Sequence, residues 1–182
     1  MNKLKEIYKS MYWWFKLKTT NIFWAKTRED ATIPTRRDED GWYDVYVLLP
    51  DGVPVEIKPN EIKMLPTGIA SAFDKKYRLD FQNERGSTGS LGITVRSGKI
   101  DSGYRGEIFL NVHNLSNKTL ILSDNTDKVI ERDNAIYYPI SKAICQASLE
   151  YVPKNKTKEI PYEQLVEIPS ERGFGKLGSS GK

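Results

Sequence analysis

The sequence predicts an all-β protein, and three observations support this fold class. Apolar and polar residues alternate with period two in several short segments, which is the pattern of half-buried strands. Turn residues recur roughly every eight to twelve positions, a spacing typical of β-sandwiches and barrels. Only residues 3–18 and 162–167 have a pattern that suits helices. No internal repeat accompanies these strands.

The individual strands follow from the same alternation. The clearest is predicted over residues 107–114, where every second residue is aliphatic. Residues 55–57 and 62–64 flank Pro59-Asn60, which predicts a hairpin. The remaining strands are predicted at residues 21–26, 43–49, 76–81, 119–122, 135–138 and 147–152, with a turn at Asp51-Gly52.

Length and composition restrict the classes of protein. A chain of 182 residues forms one domain, or one domain with tails. Cys145 is the single cysteine, so the chain has no internal disulfide, and a lone thiol predicts a reducing, cytoplasmic compartment. His113 is the single histidine, which disfavours sites built from several histidines. No apolar stretch reaches about 18 residues, so no membrane-spanning helix is predicted.

The chain divides into three predicted regions: an arm at residues 1–20, a β domain at 21–169 and a tail at 170–182. Residues 1–28 contain seven Lys/Arg and one Glu, which gives this segment a net charge of +6. Because the whole chain has a net charge of +4, the remaining residues have a net charge of −2. The arm is also rich in aromatic residues, and this composition would suit contact with a membrane surface, with nucleic acid or with the rest of the same protein. We favour the last, expect no nucleic-acid binding, and leave the arm's partner open. The tail has four Gly and three Ser and is predicted to be flexible.

Two glycine-rich segments carry candidate chemistry. In residues 84–90, glycines allow close approach of the backbone to a ligand, and a guanidinium and hydroxyls suit phosphate oxygens. A turn between strands has the same composition, and no Gly-Lys-Ser/Thr completes a P-loop. In residues 98–107, Asp101 stands three residues before Tyr104. This spacing suits a catalytic carboxylate placed beside an aromatic ring. An Asx-turn closing a hairpin explains the same residues, and the residues alone favour it.

Taken together and in order, five segments resemble the motifs of the trimeric dUTP diphosphatase (dUTPase) family, especially its bacterial and prophage members. The five segments are Asp40-Gly41-Trp42-Tyr43-Asp44, residues 85–89, residues 98–107, residues 142–146 and residues 172–181. Residues 31–35 and 66–69 resemble further recurring stretches of the same family. The resemblance runs from about residue 30 to the end of the chain.

This resemblance implies a dUTPase-like β-clip or jelly-roll barrel that assembles as a homotrimer. Each active site would take residues from more than one subunit, and the tail would close over nucleotide bound on neighbouring chains. The implied reaction converts dUTP and water into dUMP and diphosphate. It uses Mg²⁺ bound mainly through the triphosphate, with Asp44 reaching the ion at most through water and no direct protein ligand.

The resemblance also implies roles for individual residues. Asp101 would activate the attacking water, and Tyr104 would pack against deoxyribose where a 2′-hydroxyl would clash. The backbone of the predicted hairpin at residues 95–100 would recognise uracil. The substrate-binding residues implied in this way are Gly98, Lys99 and Ile100 for the base, Arg85, Gly86, Ser87, Thr88 and Gln146 for phosphates or water, and Arg172, Phe174, Leu177, Gly178, Ser179 and Ser180 in the tail.

Some residues depart from the family pattern and leave alternatives open. Trp42 replaces a glycine, and Leu177 stands where many members have the phenylalanine that stacks on uracil, so Phe174 is an alternative cap. A dCTP deaminase shares the fold but needs a glutamate where this chain has Asn111, because an amide cannot act as an acid or base. A nucleotide-responsive regulatory binding protein is the non-enzymatic alternative.

Overall fold

The structure is a computed structural model that describes residues 2–19, 22–171 and 173–174. Three helices lie in these ranges: α1 (Asn2–Thr19), α2 (Gly86–Gly89) and α3 (Tyr162–Val166). The strands there are β1 (Ile22–Lys26), β2 (Tyr43–Val45), β3 (Val55–Ile57), β4 (Ile62–Pro66), β5 (Ile69–Phe73), β6 (Tyr77–Glu84), β7 (Ile93–Val95), β8 (Lys99–Asp101), β9 (Phe109–Asn114), β10 (Thr119–Ser123), β11 (Ile130–Arg132), β12 (Ala135–Pro139) and β13 (Cys145–Tyr151).

The strands confirm the predicted all-β class, to which α1 adds a long helix. Within the described ranges they form four sheets, in the orders β1-β5, β11-β12-β10-β3, β2-β13-β6-β8 and β4-β9-β7. The β10–β12 pair is parallel, and the other pairs are antiparallel. Neighbouring strands are often distant in sequence, as in the crossovers of β-sandwiches.

The chain separates into two compact units, residues 1–152 and residues 153–182. The first unit contains the sheets and α1. The second contains α3, a single helical turn that begins after Pro161, and the Gln164 and Leu165 amides donate to the carbonyl of that proline. Among the described helices, none is long and apolar enough to cross a membrane.

One hydrophobic core joins the four sheets. It includes the fully buried residues Val45 of β2, Ile57 of β3, Phe73 of β5 and Leu110 of β9. Burial alternates along β9, so that its aliphatic residues face this core, as the sequence predicts. Strand β5 was not predicted, because most of its residues are buried on both faces and no alternation marks it.

Two predicted hairpins are wrong. Strands β3 and β4 do not pair with each other: β3 pairs with β10, and β4 pairs with β9. Strands β7 and β8, on either side of residues 96–98, pair with β9 and β6 respectively. Both turns therefore carry the chain from one sheet to another. The strand predicted over residues 43–49 ends at Val45, and beyond it the Leu48 amide donates to the Pro66 carbonyl at 2.8 Å.

The turn between β3 and β4 is stabilised by Asn114. This residue is fully buried, and its amide nitrogen donates to the carbonyls of Ile57 and Lys118, at 2.8 Å each. Its side-chain oxygen accepts bonds from the amide and the hydroxyl of Ser116. Its backbone carbonyl accepts a bond from Asn60, whose φ of 61° forms the turn. One side chain thus connects the ends of three strands.

We predict that Asn114→Ala lowers the free energy of unfolding by about 2–4 kcal/mol, since two buried carbonyls lose their donor. Urea denaturation monitored by circular dichroism measures the change. Asn117→Ala is the matched control, because Asn117 is exposed in the neighbouring turn between β9 and β10, and it should change stability by less than about 0.5 kcal/mol. Equal stability of the two variants would contradict the structural role of Asn114.

Candidate functional site

A charged cleft of about 750 Å³ opens at one edge of the β2-β13-β6-β8 sheet. Its size lies within the range of small-molecule sites, which is roughly 300–1,000 Å³. The side chains that carry its chemistry are Thr35, Arg36, Arg37, Asp44, Arg85 and Gln146. The bulky Trp42 also lines the cleft and is 37% exposed. We refer to this site as the charged cleft.

Strand register explains why three predicted site residues meet in the cleft. In the antiparallel sheet, Gln146 of β13 lies opposite Asp44 of β2 on one side, and β6 pairs with β13 on the other. Arg85 follows the last residue of β6 directly. The Arg85 Nε lies 3.0 Å from Oδ1 of Asp44, and the Gln146 amide donates to the same oxygen at 3.1 Å. Trp42 therefore does not prevent this arrangement.

Positive and negative side chains balance in the charged cleft. Arg36, Arg37 and Arg85 face Glu39, Asp40 and Asp44. Arg37 forms a two-point contact with Asp40, and this hydrogen bond lowers the pKa of the Asp40 carboxyl below its usual value. The guanidinium of Arg36 lies 4.9 Å from the centre of the Tyr43 ring. A polyanionic ligand would find oriented guanidinium groups here but no net positive charge.

The segment after Arg85 forms α2, a four-residue helix, and its side chains differ in position. Ser87 is exposed, whereas Thr88 is fully buried and its hydroxyl donates to the Arg85 carbonyl at 3.0 Å. Thr88 therefore holds the turn, and Gly86 and Ser87 are the residues left at the surface. Burial raises the pKa of the Tyr138 hydroxyl, which donates to the Ala143 carbonyl and stays protonated beneath this turn.

A second site, the loop pocket, lies beside β8 and the turn that follows it. It has a volume of about 330 Å³ and is lined by Ser97, Ile100, Asp101, Tyr104, Phe109 and Asn111, among others. Asp101 is the exposed last residue of β8, and its carbonyl accepts the Tyr104 amide at 3.0 Å. This turn places Asp101, the predicted catalytic base, and Tyr104, the ring predicted to pack against the sugar, in one pocket.

The Tyr104 ring is held in place by its own loop. Its hydroxyl donates to the Glu107 carbonyl at 2.8 Å. The ring lies over Gly106, where a Cβ atom would stand only 2.6 Å from Cζ of Tyr104. The absence of a side chain at Gly106 therefore permits this ring position. Nearly half of the Tyr104 side chain stays exposed, which leaves one ring face for a ligand.

The segment predicted to recognise a base has a constrained backbone. Gly98 adopts a φ of 74°, and its carbonyl accepts the Phe81 amide at 3.1 Å. The Lys99 ammonium forms an ion pair with Asp80 and lies 3.9 Å from Glu150. The Lys99 side chain therefore links β8 to Asp80 of β6 and to Glu150 of β13.

The charged cleft and the loop pocket lie at opposite ends of β6. Asp101 pairs in register with Arg78, near the start of this strand, whereas Arg85 follows its end. Seven residues separate positions 78 and 85, which corresponds to about 23 Å along an extended strand. The structure thus brings together Asp44, Arg85 and Gln146 in one place and Asp101 and Tyr104 in another, and it does not bring the two groups together within one chain.

Several tail residues predicted to bind substrate lie outside the described residues: Arg172, Leu177, Gly178, Ser179 and Ser180. Phe174 is described and is 79% exposed.

Sequence reasoning also missed residues that line the charged cleft. Thr35, Arg36 and Arg37 reach the cleft because Thr35 exchanges backbone bonds with Asp44. Asn111, which the sequence analysis weighed against a deaminase, lines the loop pocket from the face of β9 that points away from the core.

The side chains near the charged cleft indicate how a metal ion would be bound. No group of three or more His, Cys, Asp or Glu residues suited to a metal ion occurs in the described part of the chain. In the charged cleft, Oδ1 of Asp44 is already engaged by Arg85 and Gln146. These residues fit a Mg²⁺ ion carried by phosphate oxygens, with Asp44 near its water shell.

Comparison with known proteins yields relatives, although no family model matches the chain. The deoxyuridine 5'-triphosphate nucleotidohydrolase of Nautilia profundicola is 30% identical over 160 residues, covering 86% of this chain and 96% of that protein. The enzyme of the same name from Bdellovibrio bacteriovorus is 30% identical over 131 residues, covering 71% and 74%.

Solved structures share the fold. A mutant dUTPase of Staphylococcus bacteriophage 80alpha with dUpNHpp has a TM-score of 0.69 at 22% identity, covering 90% of this chain and 99% of that one. A mutant dUTPase from phage phi11 of S. aureus, described for its structural Mg(II) ion, has a TM-score of 0.59 at 19% identity, covering 78% and 97%. Because the Nautilia profundicola enzyme is 30% identical and is covered over 96% of its length, the chain belongs to the deoxyuridine 5'-triphosphate nucleotidohydrolase (dUTPase) family.

Proposed function

We propose that this protein hydrolyses dUTP to dUMP and diphosphate, in a homotrimer whose active sites are shared between subunits. Membership of the dUTPase family supports the reaction. The observation that carries the shared site is the separation of Asp101 from Arg85 by the length of β6. A separation of about 23 Å along an extended strand is far larger than the spacing of neighbouring phosphates. This separation supports a site to which two chains contribute.

In the loop pocket, the Asp101 carboxylate would accept a proton from water as the water oxygen attacks the α-phosphorus. The bond between the α-phosphorus and its bridging oxygen to the β-phosphate then breaks, and diphosphate leaves with the electron pair. Tyr104 would pack against deoxyribose and hold the α-phosphate in line with this water. Asn111 donates its amide to the Arg96 carbonyl and offers no acid for deamination, so a deaminase is not favoured.

In the charged cleft of a neighbouring subunit, Arg85 and Gln146 would bind the phosphate chain, and exposed Ser87 would add a hydroxyl. The cleft has no excess positive charge in the described residues, so a triphosphate needs further cations. Arg172 in the tail supplies one in this proposal. Mg²⁺ bound with the nucleotide supplies the other, by stabilising negative charge on the phosphate oxygens. Asp44 would orient Arg85 and face the water around the ion.

The outer face of the β4-β9-β7 sheet supports an assembly of subunits. Ile62 and Met64 of β4 are 53% and 63% exposed, and Phe109 of β9 is 38% exposed. Strand register puts these residues on one face, opposite the core. Phe109 also lines the loop pocket. A neighbouring subunit packed on this apolar face would bury it and would reach the nucleotide at the same time.

The three regions have separate tasks in this proposal: residues 21–169 form the subunit's β domain, residues 170–182 close over bound nucleotide, and residues 1–20 are an added arm. Phe174, highly exposed between two glycines, or Leu177 would cover uracil. A ring stacked on a base contributes about 1–3 kcal/mol, which favours Phe174. The single cysteine is buried and unpaired, which fits a cytoplasmic enzyme.

We predict that Asp101→Asn reduces dUTP turnover by about 10²- to 10⁴-fold, because the amide cannot accept the proton. The dissociation constant of the nucleotide should change much less. Diphosphate release and calorimetric titration with a non-hydrolysable analogue measure the two quantities. Asp127→Asn, at an exposed position outside both sites, is the matched control. Turnover near that of the wild type in Asp101→Asn would refute the assigned base.

We predict that Gly106→Ala displaces the Tyr104 ring and lowers kcat/KM for dUTP by roughly tenfold to a hundredfold. The preference for dUTP over UTP should also narrow, as it should in Tyr104→Ala. Gly103→Ala is the matched control in the same loop, since a Cβ there meets no atom within 4 Å. If Gly106→Ala kept the wild-type dUTP/UTP ratio, Tyr104 would not be the residue that excludes ribose.

We predict that two inactive variants, Asp101→Asn and Arg85→Ala, regain activity when they are co-expressed. In a random mixture of subunits, about a quarter of shared sites contain both wild-type residues. The control pairs Asp101→Asn with the double variant, and it should stay inactive because no site then holds a wild-type Asp101. Failure of the first mixture, with mixed trimers confirmed by mass, would mean that each site belongs to one chain.

A further inference from the structure

Helix α1 presents a stripe of large apolar side chains to solvent. The stripe consists of Leu4, Ile7, Tyr8, Met11 and Phe15, which lie three or four residues apart and so share one face. Their exposed fractions run from 51% at Ile7 to 77% at Leu4. Exposed residues of this kind in a continuous row mark an interaction surface rather than ordinary surface variation.

A different face of α1 contacts the rest of the first unit. The Trp13 ring packs edge-to-face on Phe23 of β1, with 5.9 Å between ring centres. Lys18 in the last turn lies 3.7 Å from Asp74, whose carboxylate is largely buried. Trp13 is about 160° around the helix from Met11, since successive residues advance by about 100°. The helix is thus attached through the side of Trp13 and through Lys18, which lies in line with the end of the stripe, while Leu4, Tyr8, Met11 and Phe15 stay exposed.

The charge of α1 indicates what the stripe contacts. The helix contains five lysines and one glutamate, which gives +4. The whole chain also has a net charge of +4, so the residues outside α1 sum to zero. Lys5, Lys9 and Lys16 share a second face beside the apolar stripe. The protein's excess positive charge therefore lies on α1, and three of its lysines border the exposed apolar stripe.

We propose that α1 binds the surface of an anionic phospholipid bilayer, with its axis in the plane of the interface. Aliphatic and aromatic residues on one face and lysines beside them are the features of helices that lie in this region. Tyr8, Tyr12 and Trp14 add rings with a polar atom, which prefer the headgroup level. Nucleic acid would attract the lysines but would leave the aliphatic stripe exposed. The proposal goes beyond dUTP hydrolysis and does not depend on it.

The test is co-sedimentation of the full-length protein with vesicles. One set contains phosphatidylcholine alone, and the other contains phosphatidylcholine with about 30% phosphatidylglycerol. We expect several times more bound protein on the anionic vesicles and a fall in binding when salt is raised, because salt screens the lysines. A shift of tryptophan fluorescence to shorter wavelength should accompany binding as the rings leave water.

Two charge-matched variants separate the stripe from the rest of the helix. Met11→Glu places a carboxylate in the centre of the stripe and should reduce vesicle binding at least tenfold. Ser10→Glu makes the same change in charge at the neighbouring exposed position, outside the stripe, and should reduce binding by much less. Circular dichroism and dUTP turnover verify that both variants are folded, and turnover should be unchanged in both.

Equal binding of Met11→Glu and Ser10→Glu would overturn the proposal, since charge alone would then explain the attraction. Absence of wild-type binding to anionic vesicles at low salt would also overturn it. A particular form of that result would reassign the stripe. If light scattering shows association beyond the wild-type oligomer that Met11→Glu abolishes, the stripe binds a second copy of the chain.

Discussion

The pairing of β13 with β2 on one side and with β6 on the other is the constraint on which the site depends. It places Gln146 opposite Asp44 and brings Arg85, at the end of β6, to the same carboxylate. These contacts connect residues about 40 to 100 positions apart in sequence, and their geometry rests on backbone register. A slip of one residue in β13 would turn Gln146 to the core face and would bury its polar amide where Cys145 or Ala147 now packs.

The same sheet keeps the two halves of the chemistry apart. Strand β6 carries β8 near its start and the charged cleft at its end, so one chain exposes Asp101 and Tyr104 at one point and Arg85 and Gln146 at another. Neither half suffices for the proposed reaction. The base lacks cations, and the cleft has cations already balanced by carboxylates. Association of subunits is therefore part of the proposed chemistry and not only a source of stability.

The distribution of charge gives the chain two functional surfaces. The net charge outside α1 is zero, and the charged cleft itself contains as many acidic as basic side chains. Bound cations and the tail would then determine when phosphate is held firmly. The excess charge lies on α1, beside its apolar stripe. This separation allows the helix to engage an anionic surface without attracting that surface to the nucleotide site.

Local patterns in the sequence determined where many of the strands and the helix α1 lie. The sequence located β6, β9, β10 and β12. The ordered motifs predicted Asp44, Arg85, Asp101, Tyr104 and Gln146 as site residues, and the structure places them in the charged cleft and the loop pocket. Periodicity reports which face of a strand is buried, and motifs report residue types, so both are readable along the chain. The prediction of α1 from residues 3–18 follows in the same way.

Tertiary structure alone decided which elements meet. The turns at residues 58–61 and 96–98 have the composition of hairpin turns, yet each connects two different sheets, because buried Asn114 and the partners of β9 outweigh the local preference. Thr88 has the chemistry of a phosphate ligand but is buried beneath Arg85, and Lys99 is held by Asp80. Arg36 and Arg37 reach the cleft through the backbone pairing of Thr35 with Asp44. Partners and orientation are set by long-range packing, which no local pattern records.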